Sequence, residues 1–174
     1  MADDAEGTVR ILAAADLTAF RSVRLEALRL APQAFLASLD EELALSEGAQ
    51  LARIAGPGAR AVFGAFVGGR LVGTAGFGLS THAKQAHRGV LWGVYVEPGH
   101  RGRRLARRLV EAVIAHARDH VSHLDAVVVA SNEPARRLYE ALGFVQVGFV
   151  PRSLLVDGEY HDDVLLALAI PGRS

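Results

Sequence analysis

At 174 residues with 51% apolar side chains, the chain is long enough for one sizeable hydrophobic core, and a single domain over residues 1–174 is expected. Nineteen basic and nineteen acidic residues cancel, so no global field recruits nucleic acid or an anionic membrane, and the absence of cysteine excludes disulfides, thiolate metal sites and a cysteine nucleophile. No apolar run reaches the roughly 18 residues of a membrane span and no charged-then-apolar leader opens the chain, so a cytoplasmic protein without a membrane partner is expected.

Residues 1–7 are small and acidic and are expected to fray. Thr8 to Leu12 reads as a short strand, and Asp16 offers an N-cap to a helix whose Leu17, Phe20, Val23, Ala27 and Leu28 fall at helical spacing before Pro32. A second helical stretch, Leu39 to Ala55 with a break near Ser46, carries Asp40, Glu41, Glu42 and Glu47. These acids read either as a solvated face or as a wall of a site for a cationic substrate. Ala61 to Val67 and Arg70 to Leu79 are strand patterns joined by Gly68-Gly69, a pair suited to a tight hairpin. The glycine-rich run Gly73 to Gly78 sits inside a strand pattern with no helix after it, so it fails as a dinucleotide fingerprint. Ser80 to Arg88 is a polar loop whose His82 and His87 lack a carboxylate or cysteine companion, and no metal site is expected.

Val90 to Val96 is β-branched and aromatic enough for a strand, Pro98 and Gly99 end it, and from about Gly102 the apolar spacing turns helical. Leu105, Leu109, Ala112, Val113 and His116 form one stripe, while Arg101, Arg103, Arg104, Arg107 and Arg108 cluster around the helix start. Orphan N–H groups, the helix dipole and these guanidiniums together favour an anion there, although a solvated basic face is the plain alternative. Leu124 to Ala130 is a nearly continuous apolar strand, as expected for one buried on both faces. Ser131-Asn132 then caps a helix from Glu133 to Leu142 with Pro134 in its first turn and Gly143 as its stop. Val145 to Leu154 and Tyr160 to Ala169 are strand patterns that close the chain.

Two of these segments carry a resemblance. Arg101 to Ala106 resembles motif A of the GNAT superfamily of N-acetyltransferases, Q/R-x-x-G-x-G/A, with Arg104 where a glycine is usual. Asn132 to Phe144 is similar to motif B, N-x-x-A-x-x-[LF]-Y-x-x-x-G-F, at every specified position. The resemblance spans Thr8 to Ile170. It implies an α/β (α+β) fold with a mixed, mostly antiparallel sheet of about seven strands, splayed between the fourth (89–97) and fifth (124–130), and flanked by about four helices. It also implies acetyl-CoA as acyl donor: its pantetheine arm beside Val94, Tyr95 and Val96, its pyrophosphate on Gly102, Arg103, Arg104, Leu105, Ala106 and Arg107 with Arg101 opening the motif, and Asn132 either holding the arm or capping the next helix.

The reaction this resemblance implies is transfer of acetyl to a primary amine, a small molecule or a peptide N-terminus, by direct attack in a ternary complex. Tyr139 is the expected general acid, because a phenol with pKa near ~10 can protonate the leaving thiolate without being ionised at neutral pH. A general base is harder to place. Relatives carry a glutamate at one of two positions occupied here by Val90 and Val127, which leaves Glu41, Glu42, Glu97 and His87 as weak candidates or proton removal through water. Two other readings stay open: a non-catalytic acyl-CoA-binding module, and a nucleic-acid-binding protein using Arg101 to Arg108. Neutral net charge and the lack of interleaved aromatics count against the second, so no nucleic-acid partner is expected. The expected assembly is a monomer or homodimer.

Overall fold

Seven strands, β1 (Thr8–Ile11), β2 (Ala61–Val67), β3 (Arg70–Leu79), β4 (Arg88–Val96), β5 (His123–Val129), β6 (Val145–Val156) and β7 (Glu159–Ala169), form one sheet in the order β1-β2-β3-β4-β5-β7-β6. The computed structural model describes residues 7–56 and 58–171. Every neighbouring pair is antiparallel except β4 and β5, which run parallel, so the mixed, mostly antiparallel sheet that the resemblance implied is present. Five helices flank it: α1 (Leu17–Leu30), α2 (Leu39–Ala44), α3 (Glu47–Ala55), α4 (Leu105–Ala117) and α5 (Glu133–Ala141). Residues 1–6 of the segment expected to fray lie outside the described residues; Gly7 is buried and its carbonyl accepts a hydrogen bond from the Arg108 guanidinium at 2.9 Å.

Strand alternation divides the core between the two faces of the sheet. Phe63, Ala65, Val72, Ala75 and Val96 pack against the α4 stripe of Leu105, Leu109, Val110 and Val113. Val62, Leu71 and Tyr95 point the other way, onto Phe20, Val23, Ala27 and Leu28 of α1 and Ile54 of α3. Burying each such Val, Leu or Phe side chain is worth about 1.5–3 kcal/mol, and these two layers fix the sheet between the helices. The β2–β3 hairpin turns at Gly68 and Gly69, whose φ of 56° and 74° are the paired positive values of a type I′ turn.

Local capping explains where the helices start and break, including the break expected near Ser46. The 39–55 stretch is two helices, because Ser38 and Glu41 form a capping box for α2 and the Ser46 hydroxyl accepts the Ala49 N–H at 3.2 Å to start α3. Asp16 does not cap α1; its carboxylate accepts the Ala13 N–H at 2.8 Å, closing a single 3-10 turn that runs straight into the helix, and it pairs with Arg10 at 2.7 Å. The arginine pairing holds the Asp16 carboxyl down at about 2. α4 begins at Leu105, three residues later than the spacing suggested, since Gly102 (φ 79°) and Arg104 (φ 59°) hold the preceding loop in left-handed conformations.

The sheet opens between β4 and β5. Their ladder covers only Arg88 to Val90 against His123 to Asp125, and an Arg88–Asp125 ion pair clasps that closed end. Beyond it β4 carries a bulge: Thr74 faces Tyr95 while Gly76 faces Trp92, so β4 spends one residue more than β3 over the same length. Gly93, with φ 63°, supplies the left-handed backbone that the bulge needs, and the Thr74 hydroxyl donates to its carbonyl at 3.1 Å. The extra residue bends β4 away from β5. As a result β5 is not buried on both faces. Leu124, Ala126 and Val128 are in the core, but Val127, on the opposite face, is 56% exposed because it looks into the gap.

Candidate active site

Two cavities meet at the β4–β5 opening. The first, about 660 Å³, runs between the Trp92–Val96 edge of β4 and Val127–Val129 of β5, and reaches Asn132 and Tyr139 of the α5 region and Ala106 of α4. The second, about 790 Å³, lies on the other side and is walled by the helical residues Arg24, Glu41, Glu42 and Arg53 and by Ser153 and Asp163 of β6 and β7. Phe35, Leu91, Trp92, Gly93, Val127 and Val129 line both. A molecule in one cavity can therefore touch a molecule in the other through the gap made by the Gly93 bulge.

The first cavity has the features that a nucleotide thioester needs. Past Val90 the β4 edge facing β5 has no ladder partner among the described residues, so its N–H and C=O groups can pair with ligand amides. Below it, Arg108 N–H is the first to bond within α4, to the Arg104 carbonyl at 3.0 Å, which leaves the N–H groups of the first turn orphaned at the positive end of the helix. A Cβ built on Gly102 meets nothing within 4 Å, so the loop faces open space that phosphates can occupy. Acetyl-CoA fits these residues.

Among the residues singled out by sequence, Val94, Tyr95, Val96, Arg101, Ala106, Asn132 and Tyr139 line this cavity. Gly102, Arg103 and Arg104 are exposed on the adjoining loop, while the Leu105 side chain is 1% exposed and belongs to the core, so only its backbone can serve a ligand. Arg107 pairs with Glu111 at 2.8 Å. Arg101 donates from Nε to the Val96 carbonyl at 3.1 Å, tying the motif's first residue to the open strand edge. The Tyr95 ring turns away from the gap: its hydroxyl donates to Glu26 at 2.9 Å, and burial together with that carboxylate pushes the hydroxyl's pKa up. Asn132 Oδ1 accepts the Ala135 N–H at 3.2 Å, so the side chain is the N-cap of α5, and its NH₂ group remains for other partners.

Tyr139 is 6% exposed and tilts against Phe144 with ring centroids 5.6 Å apart. Its hydroxyl makes no hydrogen bond among the described residues, and burial pushes its pKa up to about 12, so it holds its proton throughout the physiological range.

The four weak base candidates separate cleanly. Glu97 is tied to Arg70 at 2.6 Å and His87 stacks edge-on to His123 at 5.9 Å; neither lines a cavity. Glu41 is occupied by the Ser38 N–H at 2.7 Å at the cavity rim. Glu42 is 2% exposed rather than on a solvated face, held by Arg24 at 3.1 Å and by Arg53 at 2.8 Å and 3.0 Å, so both its oxygens are engaged. Val90 and Val127 do face the second cavity, 41% and 56% exposed, and present only methyl groups to it.

Sequence reasoning missed Trp92, Gly93, Arg24, Arg53 and Asp163. Gly93 was signalled by a glycine inside a strand pattern, and Arg24 by an arginine within the apolar stripe of α1. Trp92 explains the glycine run on β3: a Cβ on Gly76 would sit 2.2 Å from the indole, so Gly76 and Gly78 form the floor on which the ring lies at the junction of the cavities.

A sequence model of the acetyltransferase (GNAT) family matches residues 24–144, and the chain belongs to that family. Among curated proteins it is 32% identical over 82 residues to an L-amino acid N-acyltransferase, MnaT, of Escherichia coli strain K12, a match covering 47% of this chain and 48% of that protein. The chain thus spans about half the length of the curated relative it matches. Solved structures extend the likeness over nearly the whole chain. A GNAT-family acetyltransferase from Streptococcus pneumoniae has TM-score 0.82 at 20% identity over 94% of this chain and 99% of its own. The yncA protein of Salmonella typhimurium, solved with its cofactor acetyl-CoA, has TM-score 0.78 at 25% identity over 97% of this chain and 96% of its own. Among the described residues, no helix is long and apolar enough to cross a membrane.

Proposed function

We propose that this protein transfers an acetyl group from acetyl-CoA to a primary amine, with the first cavity as the donor site and the second as the acceptor site. The single observation that carries this reading is the meeting of the two cavities at the β4 bulge, which gives donor and acceptor a common contact line at Trp92, Gly93 and Val127. Acetyl-CoA supplies an acyl group already activated as a thioester. Val94, Tyr95 and Val96 would hold its amide groups through the open strand edge, and the N–H groups from Gly102 to Arg107 would hold its pyrophosphate, assisted by the guanidiniums of Arg103 and Arg104. An N–H of the same edge would polarise the thioester carbonyl. Tyr139, protonated and without a hydrogen-bond partner among the described residues, donates its proton to the leaving sulfur.

The acceptor cavity is lined mainly by apolar side chains, with charged groups at its helical and β7 walls. This composition suits an amine with an apolar body, and the similarity to an L-amino acid N-acyltransferase supports a small-molecule acceptor over a peptide N-terminus. The apolar Val90 and Val127 favour a second reading, a non-catalytic acyl-CoA-binding module. Thiol release from acetyl-CoA across a panel of primary amines decides between them: amine-dependent release is expected, and tight acetyl-CoA binding without release from any amine would establish the binding module.

A further inference from the structure

The register of β5 and β7 places one carboxylate where the reaction needs it. Opposed residues of an antiparallel pair project to the same face, and Asp163 opposes Val129 while Leu165 opposes Val127. Val127 and Val129 line both cavities, so Asp163 shares the face that looks onto the contact line between them. It lies in the wall of the acceptor cavity at 7% exposure. Its Oδ2 accepts the Ser153 hydroxyl, and among the described residues Oδ1 has no hydrogen-bond partner and no cation pairs with the group. Asp162, beside it, faces the opposite way and accepts the Arg152 N–H at 2.7 Å.

Asp163 is 7% exposed and lines the cavity, its free Oδ1 is not among the buried atoms, and a cation that reaches a carboxylate in such a partly enclosed wall gains a charge-assisted hydrogen bond. The other charged groups around this cavity leave that vacancy in place: Arg24 and Arg53 are spent on Glu42, and Glu41 on the Ser38 backbone. We propose that Asp163 receives the ammonium group of the acceptor and takes its first proton, a role that rests on the acyl-transfer reading above. The ammonium loses one proton to Asp163, and the nitrogen lone pair forms the C–N bond as the C–S bond breaks. The sulfur takes the Tyr139 proton, and the second proton shed by the nitrogen restores Tyr139. Asp163 then returns its proton to solvent, so one thiol, one amide and one net proton leave the site.

Trp92 is the chain's single tryptophan and lines the same cavity, so its fluorescence reports acceptor binding without acetyl-CoA present. The test titrates n-butylamine, L-leucine and L-leucinamide into wild type and Asp163→Asn, whose amide oxygen can still accept the Ser153 hydroxyl. At least one amine is expected to change wild-type fluorescence saturably, with Asp163→Asn weakening it about 10- to 100-fold while acetyl-CoA binds as before. With that amine, kcat/KM at pH 7 should fall by about 10²-fold, and the deficit should narrow as pH rises and the free amine replaces the ammonium. Arg24, Glu41, Glu42 and Arg53 are common to both proteins and cancel in the comparison.

Wild-type fluorescence unmoved by every amine, binding within threefold in the variant, or equal loss of amine and acetyl-CoA binding would each overturn the proposal. A deficit that stays constant with pH removes the proton transfer and leaves the ammonium contact. Asp163-dependent amine binding with no thiol release in the wild type overturns acyl transfer and the proton step while the ammonium site stands.

Discussion

The two cavities are built by opposite means. In the first cavity, the proposed donor side, the groups offered to a ligand are largely backbone: an open strand edge, a left-handed loop and the first turn of a helix, most of them within the segment 94–107. The second cavity, the proposed acceptor side, is walled by side chains from seven elements, with Arg24, Glu42, Arg53, Trp92 and Asp163 separated by up to 139 positions in sequence. Backbone recognition tolerates many side chains and serves a donor of fixed structure, whereas an assembled wall can be retuned one residue at a time.

The largest effect should come from Tyr139, the side chain proposed to protonate the leaving sulfur. Tyr139→Phe removes a hydroxyl from a packed ring, so acetyl-CoA binding should hold while single-turnover transfer falls by roughly 10²- to 10⁴-fold. Transfer at the wild-type rate would show that Tyr139 is not the acid, and lost binding would make its role structural. Because burial raises its pKa to about 12, the protonated form persists as pH rises, and Tyr139 should impose no alkaline loss of single-turnover rate up to about pH 10.

On the acceptor side, Glu42→Gln leaves two guanidiniums without their buried counter-ion and should destabilise the fold by about 3–5 kcal/mol in denaturant unfolding. A change under about 1 kcal/mol would mean that the triad is solvated in solution. Gly76→Ala should cost about 1–3 kcal/mol through overpacking, because its Cβ lands 2.2 Å from the Trp92 indole. It should also shift Trp92 emission and raise the amine KM without moving acetyl-CoA affinity. Equal changes in both affinities would dissolve the division between the two sides.

The smallest effect sharpens the backbone argument. Arg104 sits at φ 59°, a conformation that costs a non-glycine residue roughly 1–2 kcal/mol, so Arg104→Gly should stabilise the fold slightly and preserve acetyl-CoA binding. Arg104→Glu should weaken that binding, most at low salt, by placing a like charge beside the phosphates. Loss of most binding in the glycine variant would instead make the Arg104 side chain a direct phosphate ligand.

Which features were legible in the sequence follows from how far apart their causes lie. Strand alternation, the Gly68-Gly69 turn and the α4 stripe each depend on residues within a few positions and were readable directly, while the mixed sheet, the phosphate loop and the role of Tyr139 were expected through the family resemblance that the two motifs carry. The Asp16 cap was harder, because its carboxylate turned to the Ala13 N–H and Arg10 rather than to the first turn of α1, a choice that depends on geometry. Exposure of Val127 was hidden as well: an apolar strand reads as buried until the bulge at Gly93 opens one of its faces. Glu42 looked like a surface acid for the same reason, since its helix alone says nothing of Arg24 and Arg53 converging on it. By itself, then, the sequence determined the elements, their order and the left-handed loop before α4, all short-range matters of dihedral preference and periodicity. Only tertiary structure decided the wall of the second cavity and left Asp163 without a cation partner among the described residues, because burial and charge pairing depend on which distant side chains the fold brings together.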